Sequence, residues 1–278
     1  MIDILNSYRP IQIKNLLHRI VETQEINATR SLVDTLGEQE ILEHLIESSK
    51  PAIPYNMKGY HYLLSTPFRY PPLEYGSRFG TVYEPSLFYG SIGEKTCIAE
   101  CAFYRFYFFY SMVEPPDSLR TQHTLFTVPF ESNHSVDLSS SQFSIYADKL
   151  YHKSDYAFTQ KIGSYLRNKG IDCFLYSSVR DPDHGLNVAL FNPTPFSAKK
   201  PTSTTEWHSQ ITKNIIQFKN IRDQRSYDFM LQDFCEDDRL PQPAPSKATL
   251  DATNELESGK GKKFSSINSL MDDLNTDD

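Results

Sequence analysis

Residues 68–109, FRYPPLEYGSRFGTVYEPSLFYGSIGEKTCIAECAFYRFYFF, decide how the rest of the chain is read. The first half is punctuated by Pro71, Pro72, Gly76, Gly80, Pro85, Gly90 and Gly93, which sets turns there. From Glu94 no Gly or Pro occurs until Pro115, and Ile98, Cys101, Ala102 and Arg105 fall at helical spacings. That pattern predicts a helix with aromatics on most faces. Glu100 sits between Ala99 and Cys101 in this apolar segment. A buried carboxylate needs a partner, because an unpaired charge is costly away from water. Two readings stand. Glu100 forms a structural ion pair with an arginine of the preceding loops, Arg69 or Arg78. Alternatively it is a functional carboxylate, with the arginines awaiting an anion and Tyr70, Tyr75, Tyr83 and Tyr89 a flat ring.

Composition narrows the classes. The chain has 278 residues, 39% of them apolar, enough for one good core and an appendage. Its net charge of −7 makes no global case for nucleic-acid binding. The longest apolar runs fall short of a membrane span, and the first residues, MIDILNSYRP, lack signal-peptide character. Cys97, Cys101, Cys173 and Cys235 form no zinc-like pair of CxxC units, so reduced thiols and a cytoplasmic location are expected. No metal site, Gly-rich phosphate loop, nucleophile elbow or second acid beside Glu100 is visible, and no resident cofactor is expected.

Outward from that stretch the chain reads as α+β, with strands mostly following the first helices. Residues 1–54 are expected as a helical extension. Leu16, Leu17, Ile20 and Val21 make one apolar stripe, and Ile41, Leu42, Leu45 and Ile46 another, stopped by Pro51. His18 and His44 are read there as surface or packing residues. A strand is predicted over 124–130, with Pro129 at an edge or end. A helix is predicted over 158–168, closed by Lys169-Gly170, and strands over 171–176 and 186–191, joined by the turn SVRDPDHG. Residues 204–218 fit one helical face or a strand pair. From Leu240 the aromatics vanish and a disordered tail is expected. Within it Phe264, Ile267, Leu270, Met271 and Leu274 recur at helical steps, either a partner-docking helix or an idle tail. The division is 1–54 extension, 55–200 catalytic domain, 201–239 a part packed on it, and 240–278 tail.

The motifs, taken in order, resemble the RES domain, whose bacterial members are mostly toxins of toxin–antitoxin pairs. They are Phe68-Arg69-Tyr70, Gly76-Ser77-Arg78-Phe79, Phe88-Tyr89-Gly90 and Thr96-Cys97-Ile98-Ala99-Glu100. Asp155-Tyr156 with Thr159-Gln160, and Tyr176-Ser177-Ser178-Val179-Arg180 with Asn187-Val188-Ala189-Leu190-Phe191, continue the likeness. In the leader, His18-Arg19-Ile20-Val21-Glu22 and Glu38-Gln39 resemble the N-terminal extension of one subgroup. The resemblance implies an ADP-ribosyltransferase-like fold with a mixed sheet, and cleavage of NAD at the nicotinamide–ribose bond. It implies Glu100 as stabiliser of the ribosyl cation, Arg69 and Arg78 as a diphosphate or ribose clamp, Tyr89 as the stacking ring and Tyr70 as its support. The family serine is assigned to Ser178, for which a turn cap is the plainer role. The other candidate position holds Ala157. Arg180 either reaches a phosphate or is solvated, and Asn187 is assigned to its strand. Phosphate, water or a macromolecule is left as acceptor, and an Xre-type antitoxin is the implied partner. An ADP-ribosyltransferase and a non-catalytic binding module remain as alternatives.

Overall fold

The structure, a computed structural model, describes residues 8–23, 32–242, 247–258 and 266–267. It divides into two units, Met1–Pro241 and Gln242–Asp278. The first is α+β, as expected. Its spine is the 19-residue strand β3 (Leu119–Asp137), paired along one edge with the antiparallel β1 (Ile11–Glu22). On the other edge β3 pairs with β6 (Ser203–Ile211) and, in parallel, with β4 (Cys173–Ser177). From β4 the order continues through β5 (Leu186–Leu190) and β2 (Phe88–Ser91) back to β1, where His18 faces Ser91. The ring β1-β2-β5-β4-β3 therefore closes on itself, the β1–β2 junction consisting of the single pair His18–Ser91. Strands β7 (Ile215–Asn220) and β8 (Arg225–Met230) extend the sheet beyond β6.

Strand β1 corrects the first of the two apolar stripes. Leu17 and Val21 join the core that also holds Phe88, Val128 and Val188, while Ile20 packs against the core on the other side of the strand. Leu16 is exposed, yet the doublets Leu16-Leu17 and Ile20-Val21 together mimic helical spacing. The second stripe is the helix α1 (Leu36–Ser49), opened by a capping box between Thr35 and Glu38. Pro129 lies inside β3, not at an end. Ser197 N–H donates to its carbonyl, so the proline nitrogen faces the 193–202 loop and no ladder bond to β1 is lost.

Short helix α2 (Tyr62–Arg69) leads into the turn-rich 70–87 segment, and α3 (Glu94–Ser111) is the helix predicted from Glu94. One face of α3, with Ile98, Ala102, Phe106 and Phe109, packs on β6–β8 through Trp207, Ile216 and Phe218. Residues 204–218 thus form the strand pair, not the helix. A one-turn helix α4 (Ala147–Leu150) precedes α5 (Ala157–Asn168), which lies over β4 and β5 through Ile162 and Leu166. A Cβ on Gly163 would sit 1.8 Å from the Phe79 carbonyl oxygen, so the absence of a side chain lets α5 seat directly on the 76–80 turn. The second unit holds α6 (Lys247–Glu257), where an Ala-, Leu- and Glu-containing run forms helix inside the stretch expected to be disordered. Of the apolar tail patch, Ile267 is exposed, and Phe264, Leu270, Met271 and Leu274 lie outside the described residues.

Candidate functional site

Glu100 does not pair with an arginine. Its Oε1 accepts from Ser178 Oγ at 2.7 Å and from Asn187 Nδ2 at 2.6 Å. Both donors converge on the same oxygen, and among the described residues none reaches Oε2. Asn187 is fixed in turn by Ser91 Oγ, which donates to its Oδ1 at 2.6 Å. The chain Ser91–Asn187–Glu100 therefore runs from β2 through β5 to α3. Neutral donors hold the carboxylate in place and leave its charge uncancelled.

Ser178 sits just beyond β4, in the 178–185 loop. Its Oγ also accepts from the backbone N–H of Arg180 and Asp181, at 3.1 and 3.0 Å. It is at once the cap of its turn and a donor to Glu100. The loop is pinned to the first turn of α3. Thr96 Oγ1 donates to Asp181 Oδ2 at 2.8 Å, and a Cβ on Gly185 would stand 2.0 Å from that hydroxyl. Ala157 lies elsewhere: it is exposed at the start of α5, its N–H bonded to Asp155 Oδ1.

The expected cations separate. Arg69 pairs with Glu47 at 2.8 Å and also donates to the Pro51 carbonyl; no hydrogen bond or ion pair joins it to Glu100. Neighbouring Tyr70 is exposed, and its carbonyl accepts from Ser86. Arg78 lies over the Tyr156 ring, 4.6 Å from its centre, and donates to the His152 carbonyl at 2.8 Å. Arg180 is buried and pairs with Asp237 at 2.6 Å. Tyr89 is anchored by its hydroxyl to Ser77 Oγ at 2.8 Å and to the Phe79 N–H at 3.1 Å. Burial pushes its phenol up to about 12, with the bonds from Ser77 and Phe79 opposing.

Two tyrosines are electrostatically coupled to the carboxylate. Burial raises the Tyr176 phenol well above its usual range, helped by Glu100 and Tyr89 and opposed by Arg78. Tyr104, one turn beyond Glu100, is raised by burial, then by Tyr156 and Glu100, with Arg180 and Arg239 opposing. Tyr104 and Tyr176 thus feel the Glu100 charge directly, while Arg78 and Tyr89 act on Tyr176, and Tyr156 and Arg180 on Tyr104.

Three residues escaped the sequence reading. Asn187 was legible as a strand residue, and nothing in its spacing showed that it faces Glu100. Arg239 lies beyond the motifs altogether. Arg19 stood among the leader matches: in β1 its Nη1 donates to the Tyr89 carbonyl at 2.5 Å, and the guanidinium lies 4.7 Å from the centre of the Phe88 ring. Burial pulls its pKa down to about 10, and it has no carboxylate partner among the described residues.

A groove of about 840 Å³ lies on the face of β6–β8 away from α3, lined by Gln122, Gln210, Gln217 and Lys219. Glu100, Ser178 and Asn187 do not line it. Among the described residues no helix is long and apolar enough to cross a membrane, and no group of three or more His, Cys, Asp or Glu is placed to hold a metal ion.

A family model described as the RES domain matches residues 53–210, more than half of the chain. No curated protein matches. Among solved structures, a chain of the M. tuberculosis MbcT–MbcA toxin–antitoxin complex is similar at 9% identity, with 71% of this chain and 86% of that chain covered and a TM-score of 0.40. At that score the likeness decides nothing about activity or partner.

Proposed function

The chain belongs to the RES domain family, and from that premise we propose that it is a toxin that cleaves NAD at the nicotinamide–ribose bond. The observation that carries the reading is the open oxygen of Glu100: Oε1 is held by Ser178 and Asn187, and Oε2 is left for a ligand. The departing nicotinamide takes the bonding pair and neutralises its own positive charge, so it needs little acid catalysis. The ribose left behind is an oxocarbenium ion. A fixed carboxylate bonded to a ribose hydroxyl stabilises that cation as it forms. Inorganic phosphate or water then closes the ribose carbon and releases a proton.

Roles follow from position. Glu100 stabilises the cation. Ser178 and Asn187 aim it, so a serine that caps a turn also serves the carboxylate. Arg78, unpaired with any acid among the described residues, contacts the diphosphate. Arg180, buried on Asp237, supports the loop that carries Ser178. Tyr89, its hydroxyl pinned, offers a ring for nicotinamide, and Arg19 adds uncompensated positive charge beside it. The clamp role of Arg69 and the supporting role of Tyr70 rest on the family resemblance alone. A toxin of this kind requires neutralisation in its own host, so a cognate antitoxin, of the Xre type by family resemblance, is the proposed protein partner.

The test is NAD turnover by the purified protein with and without inorganic phosphate, beside Glu100→Gln. The expected result is a fall of about a hundredfold or more in the variant, the scale of losing one electrostatic stabiliser. Dependence on phosphate would separate a phosphorylase from a glycohydrolase. Label appearing on a macromolecule would favour an ADP-ribosyltransferase. No turnover under any condition by folded, antitoxin-free protein would sink the cleavage reading.

A further inference from the structure

Three guanidinium groups converge on one backbone oxygen. The Lys153 carbonyl accepts from Arg180 Nη2 at 2.6 Å, Arg239 Nη2 at 2.9 Å and Arg78 Nη2 at 3.3 Å. Among the described residues a single carboxylate is bonded to this group. Asp237, fully buried, lies 2.6 Å from Arg180 Nη1 and 2.9 Å from Arg239 Nε. The Lys153 ammonium is matched separately by Glu236. Three cations against one anion leave an excess of about two positive charges. Like charges this close repel strongly where water is scarce, so the arrangement favours an anion that comes and goes.

The three arginines are not equivalent. Arg180 is buried, stacked 3.8 Å from the centre of the Phe103 ring. Arg78 and Arg239 are only partly covered, and both lie against Tyr156, 4.6 and 5.4 Å from its ring centre. Arg239 spends Nε and Nη2 on Asp237, Lys153 and the Tyr156 hydroxyl, while its Nη1 has no bond among the described residues. The cluster adjoins the carboxylate, since Ser178 Oγ contacts both Glu100 and the backbone of Arg180.

We propose that Arg239, with Arg78, forms a diphosphate-binding subsite of the catalytic pocket, and that Arg180 and Asp237 are the buried platform beneath it. The proposal rests on reading Glu100 as the NAD-cleaving carboxylate. The sign agrees: a dinucleotide diphosphate is anionic, and the cluster is net positive. The chemistry agrees as well, because guanidinium forks match phosphate oxygens. Arg239 and Asp237 follow the family-matched residues 53–210, so a segment outside the matched region completes the site.

ADP is the probe, because it carries the diphosphate but no nicotinamide to lose. Its binding is measured by calorimetry for wild type, Arg239→Gln, Arg239→Lys and Glu100→Gln, beside kcat and KM for NAD. Arg239→Gln is expected to weaken ADP about tenfold or more and to raise KM in step, with kcat within about twofold. Arg239→Lys, which keeps the charge and loses the fork, is expected to fall between. Glu100→Gln is expected to bind ADP like wild type. Wild-type protein that does not bind ADP, or Arg239→Gln that binds it unchanged, overturns the subsite even if NAD is turned over. Arg239-dependent ADP binding without NAD turnover keeps the subsite and removes the cleavage reading. If Arg239→Gln fails to fold, Arg239→Lys decides, and unchanged ADP affinity at wild-type thermal stability overturns the proposal.

Discussion

Helix α3 carries two polar networks five residues apart, and they are built on opposite principles. At Glu100 the charged group is held only by neutral donors, one of its oxygens is open, and its negative charge is uncancelled. At Arg105 the charge is matched by Glu22, with Thr121 Oγ1 accepting a second bond at 2.6 Å and the Phe108 ring alongside. Behind it His123 is buried and bonded through Nε2 to Ser209 Oγ at 2.8 Å. The one network keeps a charge available, and the other removes charge from play. On the proposed function, that contrast is between a carboxylate kept for chemistry and a guanidinium kept for the fold.

The largest expected effect breaks the first network. Glu100→Gln preserves shape and hydrogen bonding yet removes the charge, so NAD turnover should fall at least about a hundredfold while thermal stability changes little. Arg105→Met should do the reverse, costing about 1–3 kcal/mol in denaturant unfolding with turnover per folded molecule retained. Comparable losses of activity in both variants would erase the distinction drawn between the two networks.

Next comes the aim of the carboxylate. Asn187→Ala removes one of the two donors to Oε1 and strands Ser91, so turnover should drop by about tenfold to a hundredfold, chiefly in kcat. Steady-state kinetics on folded variant would check it. A change in KM alone would assign Asn187 to substrate binding instead.

How much of this was legible in the chain depends on whether the signal was local. The helix from Glu94, the strands around 173–177 and 186–190, and the turn between them follow from punctuation and periodicity within short windows. Strand β1 was hidden because Ile20 packs on the face opposite Leu17 and Val21 and Leu16 is an exposed apolar residue, so the two doublets have a helical look. At the site, Glu100 stood out as a charge in an apolar helix. Its partners did not: Ser178 and Asn187 are 78 and 87 residues away, on elements whose meeting is set by sheet order alone. The same holds for Arg239, brought to Lys153 from 86 residues along the chain. Of the two readings of Glu100, the arginine ion pair failed for a physical reason. Two neutral donors satisfy a carboxylate without cancelling it, and charge counting along the sequence does not anticipate that choice.

A smaller effect lies in the second network. Burial first, then Arg105 and His208, pull the His123 pKa down to about 4, against about 6.5 in an unfolded chain. Between those values the unfolded state binds more protons. The stability is therefore full above about pH 6.5 and is lost as pH falls toward 4. At about pH 5 the loss relative to about pH 7.5 should be about 2 kcal/mol in urea unfolding. His123→Gln should flatten that part of the profile, and an equally steep fall in the variant would assign the acid sensitivity to other groups.

The smallest effect is expected at Arg69, and it sharpens the comparison most. Arg69 is bound to Glu47, as Arg105 is bound to Glu22, so by the rule drawn from α3 its charge is already in use. Arg69→Gln should then change KM for NAD by less than about threefold, in keeping with a surface ion pair. Glu47→Gln is the informative companion. If Arg69 were a clamp restrained by Glu47, freeing it would lower KM, and Arg69→Gln would raise KM about tenfold or more. That pair of results would show that an ion pair at rest can be surrendered to a ligand. Pairing in the unliganded chain would then no longer suffice to call a cation structural, and Arg105 would have to be tested by kinetics as well as by stability.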